Sequence, residues 1–289
     1  MSEPFNIIGL GEILWDVLPA GRQLGGAPAN FAYVSSRLGN RGIVLSRVGD
    51  DEPGSAILEE LKGKNLSTEH IQIDRQNPTG AVDVSLNNGQ PRYEILENVA
   101  WDFLELTDDW RALSKNADAV CFGSLAQRSP FSQKTICEFI NLTKKIRIFD
   151  VNLRQEFYSQ KTLLKSLNLA NVVKLNHEEL PVIADAFGIR TLNPVKTARN
   201  LISQFGLKLV CLTRGAEGSL LVTKKRVSEH AGLRVVVKDA IGAGDAFTAA
   251  LTHGLLHRWD LYEINEFANK VGAFVASQTG AMPEFPKEF

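Results

Sequence analysis

Short apolar runs rich in β-branched residues alternate along this chain with segments whose apolar residues recur at helical spacing. The strand-like runs cover Phe5–Leu10, Ile43–Val48, Ala119–Phe122, Ile146–Val151, Val172–Leu175 and Leu207–Thr213. The helical patterns between several of them include Phe131–Lys144, Glu178–Ala186 and Pro194–Phe205. Strands that are apolar throughout are typical of a parallel sheet covered by helices on both faces. The sequence therefore predicts an α/β fold built on a mostly parallel sheet.

One segment has the period of a strand with two different faces. Ala81–Leu86 alternates apolar and polar residues, Asn87–Pro91 is rich in turn-forming residues, and Arg92–Leu96 follows as a second strand. This order predicts a hairpin with one face toward solvent or a ligand. Together with Ile13–Leu18, the hairpin is expected to form a small sheet that projects from the main body. A plain edge hairpin is the alternative.

Length and charge limit the classes of protein to consider. With 289 residues the chain is near the upper limit for one domain, so we expect one main domain with a small appendage. It has 32 Lys and Arg against 33 Asp and Glu and no extended basic stretch, which argues against nucleic acid or an anionic membrane as the main partner. Neither a signal peptide nor a membrane-length apolar run is visible, so a cytoplasmic location is expected. The three cysteines are predicted to be reduced core residues.

The segment Asp239–Phe247 carries the clearest chemical signal. Gly242 and Gly244 precede and enter an apolar run with helical spacing, so a helix is predicted to begin near Ala243. The free N–H groups and the positive dipole end at such a helix start bind anions. Asp245 lies in the first turn, where it can take a proton from a hydroxyl group aimed at the anion. The alternative is a glycine-rich turn in which Asp245 only complements the helix dipole.

Asn176 and Glu179 allow two interpretations. They are three residues apart after a predicted strand, so both side chains lie on one helix face and can order waters around a phosphate-bound magnesium ion. Asn followed by Glu at this spacing is also the pattern of a capping box. The two roles are compatible, and both stay open at this stage.

Four residues near the N-terminus form a predicted sugar site. Asp16 and Asn30 offer hydrogen-bonding groups to sugar hydroxyls, and the pair Gly25 and Gly26 allows close backbone approach. Each residue also has an ordinary alternative: Asp16 can simply end a strand, and Asn30 can be a solvated residue of an amphipathic helix.

Arginines and aromatic residues bear on the choice of acceptor. Arg154 either pairs with Asp150 or reaches a substrate oxygen or phosphate. The hairpin carries Arg92 and Tyr93, and Trp101 follows soon after. An aromatic ring beside polar donors suits a neutral hexose, whereas a carboxylate-bearing acceptor requires an arginine fork.

Several of these segments match one known family in order. They are Gly25–Ala32, Asp150–Arg154, Asn176–Glu179, Thr213–Gly218, Asp239–Phe247 and Gly280–Pro283. Together they resemble the motifs of the PfkB (ribokinase-like) carbohydrate kinases, over essentially the whole chain. The resemblance implies a ribokinase-like three-layer sandwich with a central, mostly parallel sheet. It also implies a single kinase domain, residues 1–289, with a small β-sheet lid formed mainly by about residues 12–24 and 80–100.

The resemblance assigns roles to individual residues. Asp245 is implied to be the base, with Gly242, Ala243 and Gly244 around the transferred phosphoryl group. Residues implied to bind the acceptor are Asp16, Gly25, Gly26, Asn30, Arg92, Tyr93, Arg154 and Asp245. Residues implied to bind ATP are Asn176, Thr213, Arg214, Gly215, Gly218, Gly242, Gly244 and Asn269. Asn176 and Glu179 are implied to hold magnesium through water, and Asp239 and Ile241 to border a monovalent cation such as potassium.

Other segments point to one branch of the family. Gly11-Glu12, Asp150–Arg154 and Val99–Asp102 look most like fructokinases, so the expected reaction is phosphorylation of fructose at its 6-hydroxyl by ATP. Alternatives are a kinase for 2-keto-3-deoxygluconate, ribose or a nucleoside, and a sugar-binding regulator without turnover. A monomer or a homodimer formed through the lid is expected. Ala240 departs from the family, which commonly has Thr there.

Overall fold

The computed structural model describes residues 3–18, 21–87, 90–191, 193–286 and 289, without the side chains of residues 18, 83–87 and 90–93. Its strands are β1 (Asn6–Leu10), β2 (Leu14–Leu18), β3 (Gly21–Gly25), β4 (Arg41–Leu45), β5 (Arg47–Gly49), β6 (Gln72–Asp74), β7 (Gly80–Asn87), β8 (Gln90–Ile95), β9 (Ala119–Phe122), β10 (Ile146–Asp150), β11 (Val172–Asn176), β12 (Leu209–Thr213), β13 (Ser219–Val222) and β14 (Val227–His230). Its α-helices are α1 (Ala27–Arg37), α2 (Glu52–Gly63), α3 (Asp108–Asn116), α4 (Pro130–Leu142), α5 (Gln160–Leu169), α6 (Glu179–Ala186), α7 (Pro194–Phe205), α8 (Ala243–Leu256) and α9 (Leu261–Ala276).

The central sheet is mostly parallel, as predicted. Within the described residues its strand order is β14-β13-β12-β11-β10-β9-β1-β4, and only β13 and β14 join it antiparallel. Successive residues of one strand enter different cores: Ile148 packs in the core with α1, α8 and α9, and Phe149 in the core with α4, α5 and α7. The side chains of a strand point alternately to its two faces. Helices therefore cover both faces, and the predicted three-layer α/β fold is confirmed.

Backbone chemistry fixes where two helices that border the cleft begin. Helix α1 begins directly after Gly26 with Pro28 in its first turn, where a missing N–H costs nothing. Helix α8 begins at Ala243, as predicted, and the residue before it, Gly242, has φ 77°. That conformation favours glycine, and a Cβ on Gly242 would lie 2.7 Å from the Cα of Ala281.

A second, four-stranded sheet has the order β3-β2-β7-β8. It contains the predicted hairpin and the predicted strand near residues 13–18, while β3 was not recognised as a strand. Trp15 on β2 donates its ring N–H to the carbonyl of Pro53 (2.9 Å), and Arg22 on β3 pairs with Glu52. These contacts connect the small sheet to α2.

The predicted strand Ile43–Val48 is wrong in one respect, because it is two strands. The chain leaves the central sheet after Leu45, and β5 pairs with β6 in a separate two-stranded sheet. Ser46 lies at the break and is buried, and its hydroxyl group donates to the carbonyl of Gly11 (2.6 Å). Apolar composition alone does not show this change of sheet.

The structure also bears on the predicted state of the cysteines and on the question of membrane-spanning helices. Cys121, Cys137 and Cys211 are free thiols, and the first and third are buried. Among the described residues, no helix has the length and apolar character required to cross a membrane.

Candidate active site

A cleft of about 940 Å³ opens where the parallel strands end. Its lining includes Glu12 after β1, Asn152 after β10, Asn176 at the end of β11 and Thr213 at the end of β12. Parallel strands bring their carboxyl ends to one edge of a sheet, and α/β proteins commonly bind ligands there. Strands β2 and β7 of the small sheet border the same cleft, so both sheets contribute to it.

Most of the predicted site residues meet in this cleft. Those that line it are Asp16, Gly25, Gly26, Asn30, Arg154, Asn176, Glu179, Thr213, Gly215, Gly218, Ile241, Gly242, Ala243, Gly244, Asp245 and Asn269. The side chains of Arg92 and Tyr93 lie outside the described part of the structure, although their backbones belong to β8.

Asp245 lies in the first turn of α8, directly after the turn Gly242–Gly244 that is predicted to bind an anion, and it contacts Asn30 of the predicted sugar site. Its Oδ2 accepts a hydrogen bond of 2.8 Å from the side-chain amide of Asn30. Burial, together with the negative charge of Asp150, raises the pKa of Asp245 to about 6, although Asn30, Lys174 and Arg154 act in the opposite direction. The carboxyl group is therefore suited to accept a proton near neutral pH.

A buried ion pair lies behind the anion-binding turn. The ammonium group of Lys174 on β11 is 3.0 Å from Oδ1 of Asp150 on the neighbouring strand β10. Thr248 on α8 donates its hydroxyl group to Oδ2 of Asp150 at 3.0 Å. The first interpretation of Arg154, a pair with Asp150, is therefore wrong, because Asp150 is already engaged by these groups. Arg154 is exposed and lines the cleft.

Asn176 and Glu179 form the capping box that the sequence allowed. Asn176 Oδ1 accepts the N–H of Glu179, and Glu179 Oε2 accepts the N–H of Asn176, both at 2.8 Å. Glu179 Oε1 also accepts the N–H of Leu153 at 2.9 Å. Burial raises the pKa of Glu179, and Lys174 opposes the shift.

The hydrogen bonds that Glu179 accepts limit the kind of magnesium site that these residues can form. Each Glu179 oxygen already accepts a backbone N–H, and no cluster of three or more His, Cys, Asp or Glu side chains within the described residues is arranged for a metal. A carboxylate oxygen has a second lone pair, so an ordered water can still be bound. The residues fit an ion held by nucleotide phosphates and water, not an ion held by the protein alone.

Two residues predicted to bind ATP, Asn269 and Gly218, make close contacts with their neighbours in the protein. Asn269 on α9 is buried, and its side-chain amide donates to the hydroxyl group of Ser219 at 2.7 Å. Gly218 has φ 79°, and a Cβ there would collide with the carbonyl of His230. Arg214 does not line the cleft as predicted. Its guanidinium group bonds Glu229 at 2.8 Å and the carbonyl of His230 at 3.2 Å.

Asp239 lies beside the anion-binding turn without lining the cleft. Its Oδ1 accepts the N–H of Ile241 at 2.9 Å, and its Oδ2 accepts the N–H of Gly280 at 3.2 Å. The N–H of Lys238 bonds the carbonyl of Ala276 at 2.9 Å. The loop and the segment 276–281 are therefore joined, as a cation site between them would require.

Gly25 and Gly26 of the predicted sugar site leave room for other groups of the protein itself. A Cβ on Gly25 would collide with Oδ2 of Asp16, and a Cβ on Gly26 would lie 2.6 Å from the carbonyl oxygen of Glu12. Gly26 also has φ 114°. Burial raises the pKa of Asp16. The close approach predicted at these glycines is present. The groups that approach them are the carboxyl group of Asp16 and the backbone of Glu12, which belong to the protein itself.

Sequence reasoning assigned no role to two buried charged residues that line the cleft, Glu12 and Lys174, and it misplaced one aromatic ring. Glu12 is 2% exposed, burial raises its pKa to about 7, and its Oε2 has no hydrogen-bond partner among the described residues. The pair Gly11-Glu12, which resembles fructokinases, was its signal in the sequence, but no role at the site was assigned to it. Trp101 is fully buried beneath the guanidinium group of Arg128, 4.0 Å from the ring centre, and is not available to a sugar.

Known proteins share this architecture. The family model described as pfkB family carbohydrate kinase matches residues 19–288. An Escherichia coli fructokinase is 31% identical over 96% of this chain and 95% of its own length. The structure of an uncharacterized sugar kinase from Pyrococcus horikoshii in complex with ATP superposes with a TM-score of 0.83, at 31% identity over 96% of this chain and 94% of that one.

A third relative was solved with an acceptor bound. It is a double mutant of fructokinase from Vibrio cholerae O395 in its fructose, ADP and potassium ion bound form. Its TM-score is 0.81, at 26% identity over 98% of this chain and 96% of that one. The matched segment spans nearly the whole chain, and the chain accordingly belongs to the PfkB family of carbohydrate kinases.

Proposed function

We propose that this sugar kinase transfers the γ-phosphoryl group of ATP to the 6-hydroxyl of fructose. The observation that carries the proposal is the position of Asp245. It lies in one continuous cleft, with the anion-binding turn on one side and Asp16 and Asn30 on the other. A base between an acceptor site and a phosphate site is what phosphoryl transfer to an alcohol requires.

Each group at the site has a separate role in this reaction. Asp245 takes the proton from the sugar hydroxyl as the oxygen attacks the γ-phosphorus, and ADP leaves as the bond from the γ-phosphorus to the bridging oxygen breaks. The N–H groups of the turn Gly242–Gly244 stabilise the negative charge on the transferred group. Asn30 holds the carboxylate of Asp245 in place through its amide. A bound magnesium ion would neutralise phosphate charge, with Asn176 and Glu179 orienting its waters.

Several parts of the proposal concern the surroundings of the site. We propose that the small sheet acts as a lid within a single kinase domain, and that the loop of Asp239 and Ile241 borders a potassium ion. The potassium ion named with the Vibrio cholerae fructokinase supports the second point. A cytoplasmic location, and a monomer or a homodimer formed through the lid, complete the proposal.

The charges at the sugar end favour a neutral acceptor. Glu12, Asp16 and Asp245 contribute three carboxyl groups, and the charge of Arg154 acts on all three. An acidic sugar would bring a fourth carboxyl group close to these three. The fructose named with the Vibrio cholerae relative supports the same choice. The exposed Arg154 makes 2-keto-3-deoxygluconate the second candidate.

A coupled assay of ADP release over a panel of sugars and nucleosides tests the proposal. Fructose is expected to give the highest kcat/KM, measured beside 2-keto-3-deoxygluconate at matched ionic strength. A preference for the acid would overturn the fructose assignment and direct attention to Arg154. Absence of ADP release with every acceptor would favour a sugar-binding regulator.

A further inference from the structure

The second glycine of the turn Gly242–Gly244 has an unusual neighbour. Gly244 has an ordinary helical backbone, unlike Gly242, so its lack of a side chain is not required by its φ angle. A Cβ built on Gly244 would lie 3.1 Å from Nζ of Lys174, tighter than an ordinary carbon contact. The glycine therefore leaves room for a cation against the first turn of α8.

Asp150 on β10 holds this cation in place and is itself hydrogen-bonded to α8. Nζ of Lys174 bonds Asp150 Oδ1 at 3.0 Å, and the other oxygen of Asp150 accepts the hydroxyl group of Thr248, one turn after Gly244 on α8. The same hydroxyl group is 2.9 Å from the carbonyl of Gly244. The ion pair is therefore tied to the helix whose first turn forms the anion site.

The lysine is buried and remains charged. Burial alone would favour its neutral form, but Asp150, Glu179 and Asp245 together raise its pKa above the usual value. Unlike Asp150, Lys174 lines the cleft together with Gly244 and Asp245. A charge held in a site of low polarity interacts more strongly than the same charge in water.

Resting on the proposed kinase reaction, we propose that Lys174 is a fixed positive charge of the phosphoryl-transfer site. Its ammonium group, held by Asp150 behind Gly244, stabilises the negative charge that develops on the transferred phosphoryl group. Pre-positioned charge of this kind acts on the transition state more than on the ground state. Its loss should therefore lower kcat and leave the KM for the sugar unchanged.

Replacing both members of the ion pair Lys174–Asp150 distinguishes a role of Lys174 in phosphoryl transfer from a purely structural role. Lys174→Met leaves Asp150 as an unpaired buried charge, whereas the double variant Asp150→Asn/Lys174→Met removes the pair without creating one. We expect kcat of the double variant to fall about 10²-fold or more. Its melting temperature should be closer to the wild-type value than that of Lys174→Met. Asp150→Asn, which retains the ammonium group, should lose less activity than either.

Two conditions sharpen the comparison. The rates are compared on the high-pH plateau of each variant's own pH profile, so an altered pKa of Asp245 cannot explain the loss. Lys145→Met is the matched control, because Lys145 pairs with Asp118 away from the cleft and its loss should leave kcat unchanged. Recovery of kcat in the double variant to within about threefold of wild type would show that Lys174 only neutralises Asp150.

A binding measurement gives a readout that does not depend on turnover. Affinity for ADP is measured in the presence of fructose, with and without aluminium fluoride, a planar mimic of the phosphoryl group in the transition state. Wild type should bind more tightly with fluoride, and the double variant should lose at least about tenfold of that gain. If the variant keeps the gain, the inference about Lys174 is wrong. If wild type shows the gain but phosphorylates no sugar, the proposed function fails and the inference stands.

Discussion

The turns that begin α8 and α6 each place a carboxylate in the first turn of a helix on the same cleft, yet the two carboxylates are bound differently. Glu179 at α6 accepts a backbone N–H on each oxygen, from Asn176 and Leu153. Asp245 at α8 accepts one side-chain hydrogen bond, from Asn30. The difference separates a carboxylate that holds backbone together from one that is free to exchange a proton.

Depth of burial accompanies this difference. Glu179 is 5% exposed, whereas Asp245 is partly open to the cleft. Protonation of Glu179 would disturb the two backbone hydrogen bonds that its carboxylate accepts, so this group is poorly placed to act as a base. A position in the first turn of a helix is therefore not enough to define the role of a carboxylate. The hydrogen bonds that each of its oxygens accepts distinguish Glu179 from Asp245.

The largest effect should come from replacing the free carboxylate. Asp245→Asn is expected to keep the fold and much of the affinity for ATP while turnover falls roughly 10²–10⁴-fold or more, the usual contribution of a positioned base. The control is Glu263→Gln, which alters a carboxylate in the first turn of α9 outside the cleft lining and should leave turnover unchanged. A near-normal rate for Asp245→Asn would remove Asp245 as the base.

The pH dependence of kcat/KM should report the same group. The pKa of Asp245 is raised to about 6, and the base acts when ionised. The rate should therefore be level above that pH and decline as pH falls through it, about tenfold per pH unit. Rate profiles from pH 4.5 to 8 check this, with circular dichroism to verify folding. A profile with no acidic limb near pH 6 would contradict the assignment.

Replacing the bonded carboxylate should act first on stability. In Glu179→Gln, the amide nitrogen cannot accept one of the two backbone N–H groups, which should lower the free energy of unfolding by about 1–3 kcal/mol. Denaturant titration measures this loss. The proposed magnesium role adds a higher magnesium requirement in the ADP-release assay. Lower stability with an unchanged magnesium titration would leave Glu179 as a helix cap only.

The smallest effect should come from the monovalent cation. Asp239 is the one formal charge of the proposed potassium loop, so exchange of potassium for tetramethylammonium at constant ionic strength should reduce kcat/KM several-fold. An Asp239→Asn variant should show less dependence on potassium. Equal rates of the wild type in both salts would exclude a potassium requirement.

Local sequence determined much of this protein. Continuous apolar strands alternating with helical patterns indicated the parallel sheet, because burial on both faces demands such composition. Gly242, Pro28 and the spacing of Asn176 and Glu179 marked three helix starts, because cap and turn chemistry acts within a few residues. The motifs also contained most of the predicted site residues that the fold brings to the cleft.

Tertiary structure decided which of those residues are free to act. The pairing of Lys174 with Asp150, the withdrawal of Arg214 to Glu229 and the burial of Trp101 under Arg128 join residues far apart in the chain or on different strands. No local pattern encodes such partners. A buried charge takes whichever opposite charge the fold brings within reach, since leaving it unpaired is costly. The role of Gly244 likewise became visible only with Lys174 beside it, because the room a glycine leaves is defined by what packs against it.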